Sequence, residues 1–432
     1  MRLRTERVRP LPHHGQAMRR GSWANTIAAE GGTRGLQAET RAELIRLDEE
    51  LCRIWNLGDN VLLGWTSVDG KLLVLSVRHY TIAESVHAAG ADGSVNRDAT
   101  QFINGVLAGP KYLAPEEFKR ISQAFDCRPE VVQVALRTDS ERIAAVISDI
   151  VRCYGVSLVR NRAVVLLDAV EFSLQSPFDQ MAMLNSLSYS VNSAYGQLLS
   201  KDMKIDFART TTGDGFYIWN RATTPEANTV LYRLMMMILA DNAVAQRKAR
   251  SPWVPKLRAA FHVGEHYEFQ QVEGINPTNF SYIVGQVTVD LARMLERALP
   301  GQILLGDFEF QFGGNAIERS MRFDTLDFVE NTAATLDQLN GLDISGGRVD
   351  NIRCYLTGRS LGNGQYLVSR FHIRDKHGAT RTVYNAKINI LRDKAEPIYL
   401  GIPSGDLWAF DTTKVESLSR DAEQTGSFIV RP

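Results

Sequence analysis

The chain has 432 residues, of which 44% are hydrophobic and 23% are charged. This length and composition allow about two or three domains, each with a core of its own. Lys and Arg together number 49, as do Asp and Glu. This balance excludes a global positive field for nucleic acid or for an acidic membrane surface. We therefore predict neither a nucleic-acid partner nor a membrane partner, and any phosphate binding must be local.

The cysteine spacing, the length of the apolar runs and the composition of the N-terminal segment indicate the cellular compartment. The four cysteines are scattered without a CxxC pair, which argues against a zinc knuckle and a disulfide framework. No apolar run reaches the roughly 18 residues of a membrane span, and the Arg-rich start lacks the apolar core of a secretory signal. A cytoplasmic protein is predicted. Residues 1–40, which show no hydrophobic periodicity, are predicted to be a disordered basic tail.

Residues 41–155 predict a mixed α/β domain with a regulatory or dimerisation role. Two apolar segments, 61–65 and 71–77, flank the turn signal Asp69-Gly70 and predict a hairpin. The run Thr138-Asp139-Ser140-Glu141 is typical of a capping box, so we predict a helix after it. The apolar stripe of that helix, 143–151, either belongs to an ordinary core or contacts a partner.

From residue 156 the pattern changes to strands that alternate with helices. The predicted elements are a strand at 163–167, a helix at 177–199, two strands within 206–219, a helix at 225–248, a strand at 257–263 and a helix at 287–298. On the first of these helices, a stripe that includes Phe178, Met181 and Leu187 is predicted to face inward. This alternation predicts an α/β sandwich over 156–357.

Residues 358–432 have a different pattern. Segments 366–374 and 380–391 alternate strongly and are joined by Asp375-Lys376-His377-Gly378. The turn residues are those that hairpins favour for backbone reasons alone. A small β-rich C-terminal module is therefore predicted.

Two carboxylates stand where a divalent metal would bind. Asp168 ends a predicted buried strand, and Asp214 lies at the tip of a hairpin between two glycines. Mg²⁺ prefers oxygen ligands and typically takes one or two carboxylates together with nucleotide phosphates. In a palm-like sheet, adjacent strands would bring these two acids together. A strand-end Asp by itself more often caps a turn or a helix, so the surrounding residues decide.

Those residues resemble the class III nucleotidyl cyclases, the family of adenylyl and guanylyl cyclases. Segment 166–173 (LLDAVEFS) resembles the first metal motif, and 212–215 (TGDG) resembles the hairpin with the second metal Asp. The separation of 46 residues between the two acids suits a strand, helix, strand path. Segment 257–264 (LRAAFHVG) resembles the family's Arg-containing strand, and 285–293 resembles the stretch that ends in its catalytic Arg.

The resemblance implies a catalytic domain at 156–357 with Asp168, Asp214 and Arg293 as catalytic residues. It implies two Mg²⁺ or Mn²⁺ ions held by Asp168, Ala169 and Asp214. Arg293 would stabilise charge on the transferring phosphoryl group. The candidate substrate-binding residues are Phe172, Ser173, Thr210, Tyr282 and Arg348.

Several positions depart from the family. Val289 stands where the family has Asn, so ribose positioning is unexplained. Thr210 and Tyr282 stand at the two positions that read the purine base, and they reproduce neither adenine nor guanine recognition. A Thr hydroxyl both donates and accepts, and a Tyr side chain reduces the pocket, so a smaller base is favoured.

Segment 209–217 (RTTTGDGFY) is similar to bacterial cyclases of the Pycsar antiphage systems, which make cyclic CMP or cyclic UMP. The resemblance implies that UTP or CTP is converted to the 3′,5′-cyclic monophosphate and pyrophosphate, and that a downstream effector reads this second messenger. Because the chain holds one set of motifs, it also implies a head-to-tail homodimer with composite sites. The C-terminal module resembles sensor domains fused to bacterial nucleotide-signal synthases.

Other interpretations stay open. The alternatives to a pyrimidine cyclase are an adenylyl or guanylyl cyclase with an unusual base pocket and a degenerate cyclase-like regulatory protein. A palm-fold diguanylate cyclase is disfavoured, because no Glu follows Asp214. His262 and His266 are four residues apart in a predicted strand without a third ligand, so zinc is not predicted. Arg348 follows two glycines in a turn that either contacts the triphosphate or is simply solvated.

Overall fold

The computed structural model describes residues 36–87, 97–273, 278–312, 321–360 and 366–418. Almost all of the predicted basic tail, 1–40, lies outside these ranges. Within them the protein is mixed α/β, which confirms the predicted fold class. No helix in the described ranges has the length and apolar content that a membrane span requires. The chain divides into two compact units: unit 1 is Met1–Leu158 with Tyr267–Tyr282, and unit 2 is Val159–His266 with Ile283–Pro432.

The helices are α1 (Ala38–Trp55), α2 (Thr81–His87), α3 (Arg97–Ala108), α4 (Pro115–Ala124), α5 (Glu141–Cys153), α6 (Pro177–Leu199), α7 (Pro225–Lys248), α8 (Gln286–Arg297) and α9 (Thr325–Ala333). The strands are β1 (Asn60–Val68), β2 (Lys71–Arg78), β3 (Glu130–Val132), β4 (Val156–Ala169), β5 (Phe207–Thr211), β6 (Gly215–Asn220), β7 (Leu257–Glu273), β8 (Thr278–Val284), β9 (Ile303–Gly306), β10 (Glu309–Phe312), β11 (Met321–Asp324), β12 (Asp343–Ile344), β13 (Gly347–Leu356), β14 (Gly358–Ser360), β15 (Tyr366–Arg374), β16 (Thr380–Asp393), β17 (Ala395–Leu400) and β18 (Lys414–Leu418).

Unit 1 is built on a three-stranded sheet in the order β1-β2-β3. β1 pairs antiparallel with β2 across Asp69 and Gly70, whose φ values of 50° and 72° suit a type I′ turn, so the predicted hairpin is confirmed. Both faces of the sheet are buried. Leu62 packs in one core with α1 and α5, whereas Leu63 packs in a second core with α3 and α4. Successive side chains of a strand point to opposite faces of the sheet, so a strand that is buried on both faces places them in different cores.

Helix α5 confirms the predicted stripe but not the predicted capping box. The helix begins at Glu141, and the N-cap residue Ser140 makes no side-chain cap hydrogen bond. Thr138 precedes the cap and instead donates its hydroxyl to Ser67 Oγ at 2.8 Å. The apolar stripe of α5 is buried in the core that it shares with α1 and β1.

Unit 2 contains a large sheet whose strands follow the order β12-β13-β16-β9-β7-β4-β6-β5. Strand β4 is buried on both faces, as its continuous apolar run predicts. Val165 and Leu167 pack in a core with α6 and α7, whereas Val164 and Leu166 pack in a second core with α8. The sheet is therefore covered on both faces along β4, and the end of this strand carries Asp168.

The bounds of α6 and α7 match the predicted helices, but the inward face of α6 is partly wrong. Phe178 and Met181 are 60% and 54% exposed. At about 100° per residue, both lie more than about 120° around the helix from the centre of the buried stripe, so they point away from the core. Phe178 instead packs edge-on against Trp253, with ring centroids 5.6 Å apart. The buried stripe of α6 consists of Met183, Leu187, Ser190, Val191, Ala194 and Leu198.

The predicted C-terminal hairpin is present as β15 and β16, which pair antiparallel. β16 also pairs antiparallel with β9 and with β13. The strands of this hairpin therefore extend the sheet that contains β4. The predicted sensor role of 358–432 and the predicted regulatory or dimerisation role of 41–155 stay predictions.

Candidate active site

Asp168 and Asp214 lie together at the paired ends of β4 and β6. Asp168 faces Gly215 in the strand register, and the Ala169 amide donates to the Asp214 carbonyl at 3.0 Å. The hairpin tip is held by Thr212, whose amide donates to the Gly215 carbonyl and whose hydroxyl donates to Asp214 Oδ1, both at 3.0 Å. The two carboxylates that the sequence singled out are thus neighbours.

The two glycines beside Asp214 have different roles. Gly213 has a φ of +100°, a backbone conformation that residues other than glycine rarely adopt. A Cβ at Gly215 would lie 1.8 Å from the Leu167 carbonyl oxygen, so β6 approaches β4 more closely than any other residue permits. The glycines therefore shape the turn and bring Asp214 against the end of β4.

Asp168 is 7% exposed and contacts Arg258. Arg258 donates from Nε to Asp168 Oδ2 at 2.7 Å, and one of its terminal nitrogens contacts the same oxygen. Burial raises the pKa of Asp168 to about 6; Arg258 opposes this rise, and nearby Asp214 adds to it. Sequence reasoning placed Arg258 in a family-like strand but gave it no role. No local signal marks it, because the contact joins residues on β4 and β7.

The donor set at this place fits a hard divalent cation. It comprises the Asp168 and Asp214 carboxylates, and Ala169 can add only its main-chain carbonyl. Among the described residues, no group of three or more His, Cys, Asp and Glu side chains is arranged to hold a metal. Two carboxylates are nevertheless the set that Mg²⁺ typically takes from a protein when nucleotide phosphates supply further oxygens.

A short loop joins the end of β4 to α6. Phe172 and Ser173 lie in a 3₁₀ turn, Phe172–Leu174, that follows Glu171 in a left-handed conformation (φ 58°). The Phe172 carbonyl accepts from Gln180 Nε2 at 3.2 Å, which ties the turn to α6. Ser173 is exposed. Both candidate substrate-binding residues therefore lie within a few residues of Asp168.

Arg293 lies on α8 beside the turn between β15 and β16. It donates to Glu296 Oε1 at 2.6 Å, and another of its nitrogens is 3.3 Å from His377 Nε2. Lys376 Nζ is 3.2 Å from the same Glu296 oxygen. Two cations, Arg293 and Lys376, thus share one carboxylate. The sequence predicts the hairpin turn that contains Lys376, but nothing local to that turn indicates α8 as a neighbour.

Thr210 and Tyr217 are directly opposite each other on β5 and β6, so their side chains share a face of the sheet. The Tyr217 hydroxyl donates to the Thr288 carbonyl of α8 at 2.9 Å. Burial raises the pKa of Tyr217, and the positive charge of Arg293 opposes part of that rise. The face that carries Thr210 therefore also meets the helix that carries Arg293.

The remaining candidates lie on elements other than those that carry the two acids. Tyr282 lies in unit 1, where its ring stacks on Phe269 with centroids 5.8 Å apart. Arg348 is exposed on β13, four strands from β4 in the sheet order. At about 4.8 Å per strand this is about 19 Å. Val289, at the position of the family's Asn, is 43% exposed on α8.

Comparison with protein-family models and with curated proteins finds no match. Among solved structures, the guanylyl cyclase Cya2 is 10% identical with a TM-score of 0.31, over 54% of this chain and 92% of that chain. The guanylate cyclase domain of RhGC from Catenaria anguillulae, in complex with GTP, is 13% identical with a TM-score of 0.30, over 55% and 100%. The adenylyl cyclase CyaB from P. aeruginosa is 11% identical with a TM-score of 0.31, over 56% and 98%. Identities and TM-scores this low assign no activity to this chain.

Proposed function

We propose that this protein is a metal-dependent nucleotidyl cyclase. It converts a pyrimidine ribonucleoside triphosphate, UTP or CTP, to the 3′,5′-cyclic monophosphate and pyrophosphate. The observation that supports this most is the pairing of Asp168 and Asp214 at adjacent strand ends, within motifs that resemble class III cyclases. We further propose that it acts in the cytoplasm, where its product is a second messenger of bacterial antiphage defence read by a separate effector.

In this proposal Asp168, Asp214 and the Ala169 carbonyl hold two Mg²⁺ or Mn²⁺ ions. When bound, such ions lower the pKa of the 3′-hydroxyl and neutralise the triphosphate for in-line loss of pyrophosphate. Arg258 fixes the orientation of the Asp168 carboxylate through its hydrogen bond to Oδ2.

Arg293 supplies positive charge for the transferring phosphoryl group, with Lys376 beside it. Both cations contact Glu296, so they present their charge at one place on the surface of unit 2. A guanidinium and an ammonium both bind phosphate oxygens well. Because each chain holds one set of motifs, we propose a head-to-tail homodimer in which one protomer contributes the acids and its partner contributes the cations.

The base pocket is proposed to favour a pyrimidine. Thr210 and Tyr282 stand at the two sequence positions where purine cyclases read the base, and neither reproduces a purine-reading residue; the Thr210 hydroxyl can donate or accept. A site built around specific hydrogen bonds rejects the wrong partner by leaving buried groups unpaired, so discrimination of about a hundredfold or more is expected. Uracil and cytosine differ in one exocyclic group, and we rank UTP ahead of CTP.

The first test incubates the full chain and Mn²⁺ with each of the four ribonucleoside triphosphates, and identifies products by mass spectrometry. We expect cyclic UMP or cyclic CMP, and loss of product in Asp168→Ala and in Asp214→Ala. Asp350→Ala, an exposed acid on β13, is the matched control and should keep full activity. Turnover like that of the unmodified chain in either site variant contradicts the metal assignment.

Other outcomes separate the alternatives. Highest turnover with ATP or GTP would leave a cyclase but remove the pyrimidine preference. No turnover with any of the four nucleotides would favour a degenerate regulatory protein, an alternative that Val289 supports because it replaces the family's Asn.

The composite site has a test of its own. Asp214→Ala should be inactive and Arg293→Ala should keep only a small residual turnover, and mixing them should restore one intact site per heterodimer. Subunit exchange without any recovered activity would exclude the proposed division of residues between protomers.

A further inference from the structure

Three contacts join α8 to the hairpin of β15 and β16. Arg381, on β16, donates from Nε to Asp290 Oδ1 at 2.7 Å. Asp290 is one helical turn before Arg293, and Arg293 itself lies 3.3 Å from His377 in the hairpin turn. Residues three apart share one face of a helix, so these contacts act on the same side of α8. The third contact, between Lys376 and Glu296, continues along that face.

The hairpin turn is organised around Asp375, which is 6% exposed. Its Oδ1 accepts from the amides of His377 and Ala379, each at 2.9 Å. Its Oδ2 accepts from Arg381, the residue that also binds Asp290. The turn is closed by the Gly378 amide, which donates to the Asp375 carbonyl at 3.0 Å. A single carboxylate therefore fixes both the turn and the arginine that holds α8.

We infer that Asp375 and Arg381 are positioning residues for Arg293, so that the C-terminal hairpin is part of the catalytic apparatus. This inference rests on the proposed cyclase function. Charged groups stabilise a transition state best when they are held in place before the reaction, because no reorganisation is then needed. The contacts of Arg293 with Glu296 and His377 give it that fixed geometry, and Asp375 maintains the turn that carries His377.

A displaced Arg293 should affect turnover rather than substrate binding. Interactions made mainly in the transition state change kcat, whereas interactions made equally in the ground state change KM. A misplacement of about 1 Å can cost about a hundredfold in rate. We therefore expect Asp375→Ala to lower kcat by about ten- to a hundredfold and to change KM by less than about twofold.

The experiment measures kcat and KM of the full chain with Mn²⁺ and its best nucleotide. Asp375→Asn keeps the acceptor for the two amides but loses the charge for Arg381, so its kcat should lie between those of the unmodified chain and Asp375→Ala. Lys414→Gln, which breaks an exposed ion pair with Glu416 on β18, is the control and should leave both constants unchanged. Unchanged kcat in Asp375→Ala would overturn the inference.

A double-mutant cycle separates positioning from general destabilisation. In an Arg293→Ala background, Asp375→Ala should have little further effect on the residual kcat, because the group that it positions is gone. The same loss in both backgrounds would overturn the inference and leave the cyclase function standing. If the unmodified chain turns over none of the four nucleotides, both fall.

If Asp375→Ala does not fold, His377→Ala decides the question, because it leaves the bonds of Asp375 to Ala379 and Arg381 intact. A several-fold loss of kcat supports the inference, and an unchanged kcat overturns it.

Discussion

Replacing Asp168, the buried carboxylate proposed to bind metal, should stabilise the metal-free protein while it abolishes the proposed activity. In Asp168→Asn the side chain keeps its size but carries no charge. Burial is the largest influence on this carboxyl and raises its pKa from 3.8 to about 6, even beside Arg258. The ionised form is therefore disfavoured in the folded state, and Asn removes that cost.

The magnitude follows from the linkage of pKa and stability. A rise from 3.8 to about 6 corresponds to about 3 kcal/mol at pH 8. The pKa of Asp168 is 3.8 in the unfolded chain and about 6 in the folded protein, so protonation favours the folded state. This stability is fully present below pH 3.8 and is lost as the pH rises through about 6. The unmodified chain should thus lose about 1.5 kcal/mol relative to Asp168→Asn between pH 5 and pH 8.

Hydrogen exchange of the buried β4 and β6 amides, with chelator present, reports the free energy of unfolding of unit 2 without mixing in unit 1. We expect Asp168→Asn to be more stable by about 1 to 3 kcal/mol at pH 8. Asp350→Asn, on the exposed face of β13, should stay within about 0.5 kcal/mol. A destabilised Asp168→Asn, or a difference that does not change between pH 5 and pH 8, would show that the Arg258 ion pair outweighs burial.

Three further outcomes are expected. Gly215→Ala should lower the melting temperature and reduce turnover at least about tenfold, because its Cβ would lie 1.8 Å from the Leu167 carbonyl oxygen. Such a clash costs about 3 kcal/mol or more. The control Gly196→Ala, on α6 with nothing within 4 Å of its Cβ, should be neutral or slightly stabilising in the same thermal scan. Mn²⁺ affinity, followed by calorimetry, should weaken about tenfold per pH unit below about 6, because Asp168 must then release a proton to bind the ion. Asn228→Ala should lower the free energy of unfolding of unit 2 by about 2 to 4 kcal/mol in hydrogen exchange, since this buried amide bonds two main-chain groups of β4 at 2.8 and 2.9 Å.

Features with a local cause could be predicted from the sequence. The bounds of α6 and α7 could be predicted from the apolar pattern, and the structure shows a local cause for their starts: each helix begins after a capping residue, Ser176 or Thr224, that is followed by Pro. The hairpin around Asp214 was predicted because its glycines interrupt two apolar strands. The pairing of Asp168 with Asp214 needed only one further assumption, that these strands are neighbours in a palm-like sheet.

Features that depend on distant contacts could not be predicted. Arg258 contacts Asp168 across 90 residues, and His377 contacts Arg293 across 84 residues. The apolar periodicity also gave a wrong prediction at the start of α6, where Phe178 was expected to face inward but is exposed. An apolar residue indicates a core only when a neighbouring element covers its position, and that neighbour is invisible in a local pattern. For the same reason, the hairpin turn that contains Lys376 could be predicted but its contact with α8 could not.

The two halves of the proposed site have different structural supports within unit 2. The acids depend on the close approach of β6 to β4 at Gly215, which is a property of the strands alone. The cations depend on the hairpin of β15 and β16, because Lys376 lies in its turn and Arg293 lies against it. A nucleotide must meet both halves, one of them from a partner in the proposed homodimer. A disturbance of the C-terminal hairpin would then affect catalysis through the cations and leave Asp168 and Asp214 in place, so the hairpin would influence the rate without touching the proposed metal site.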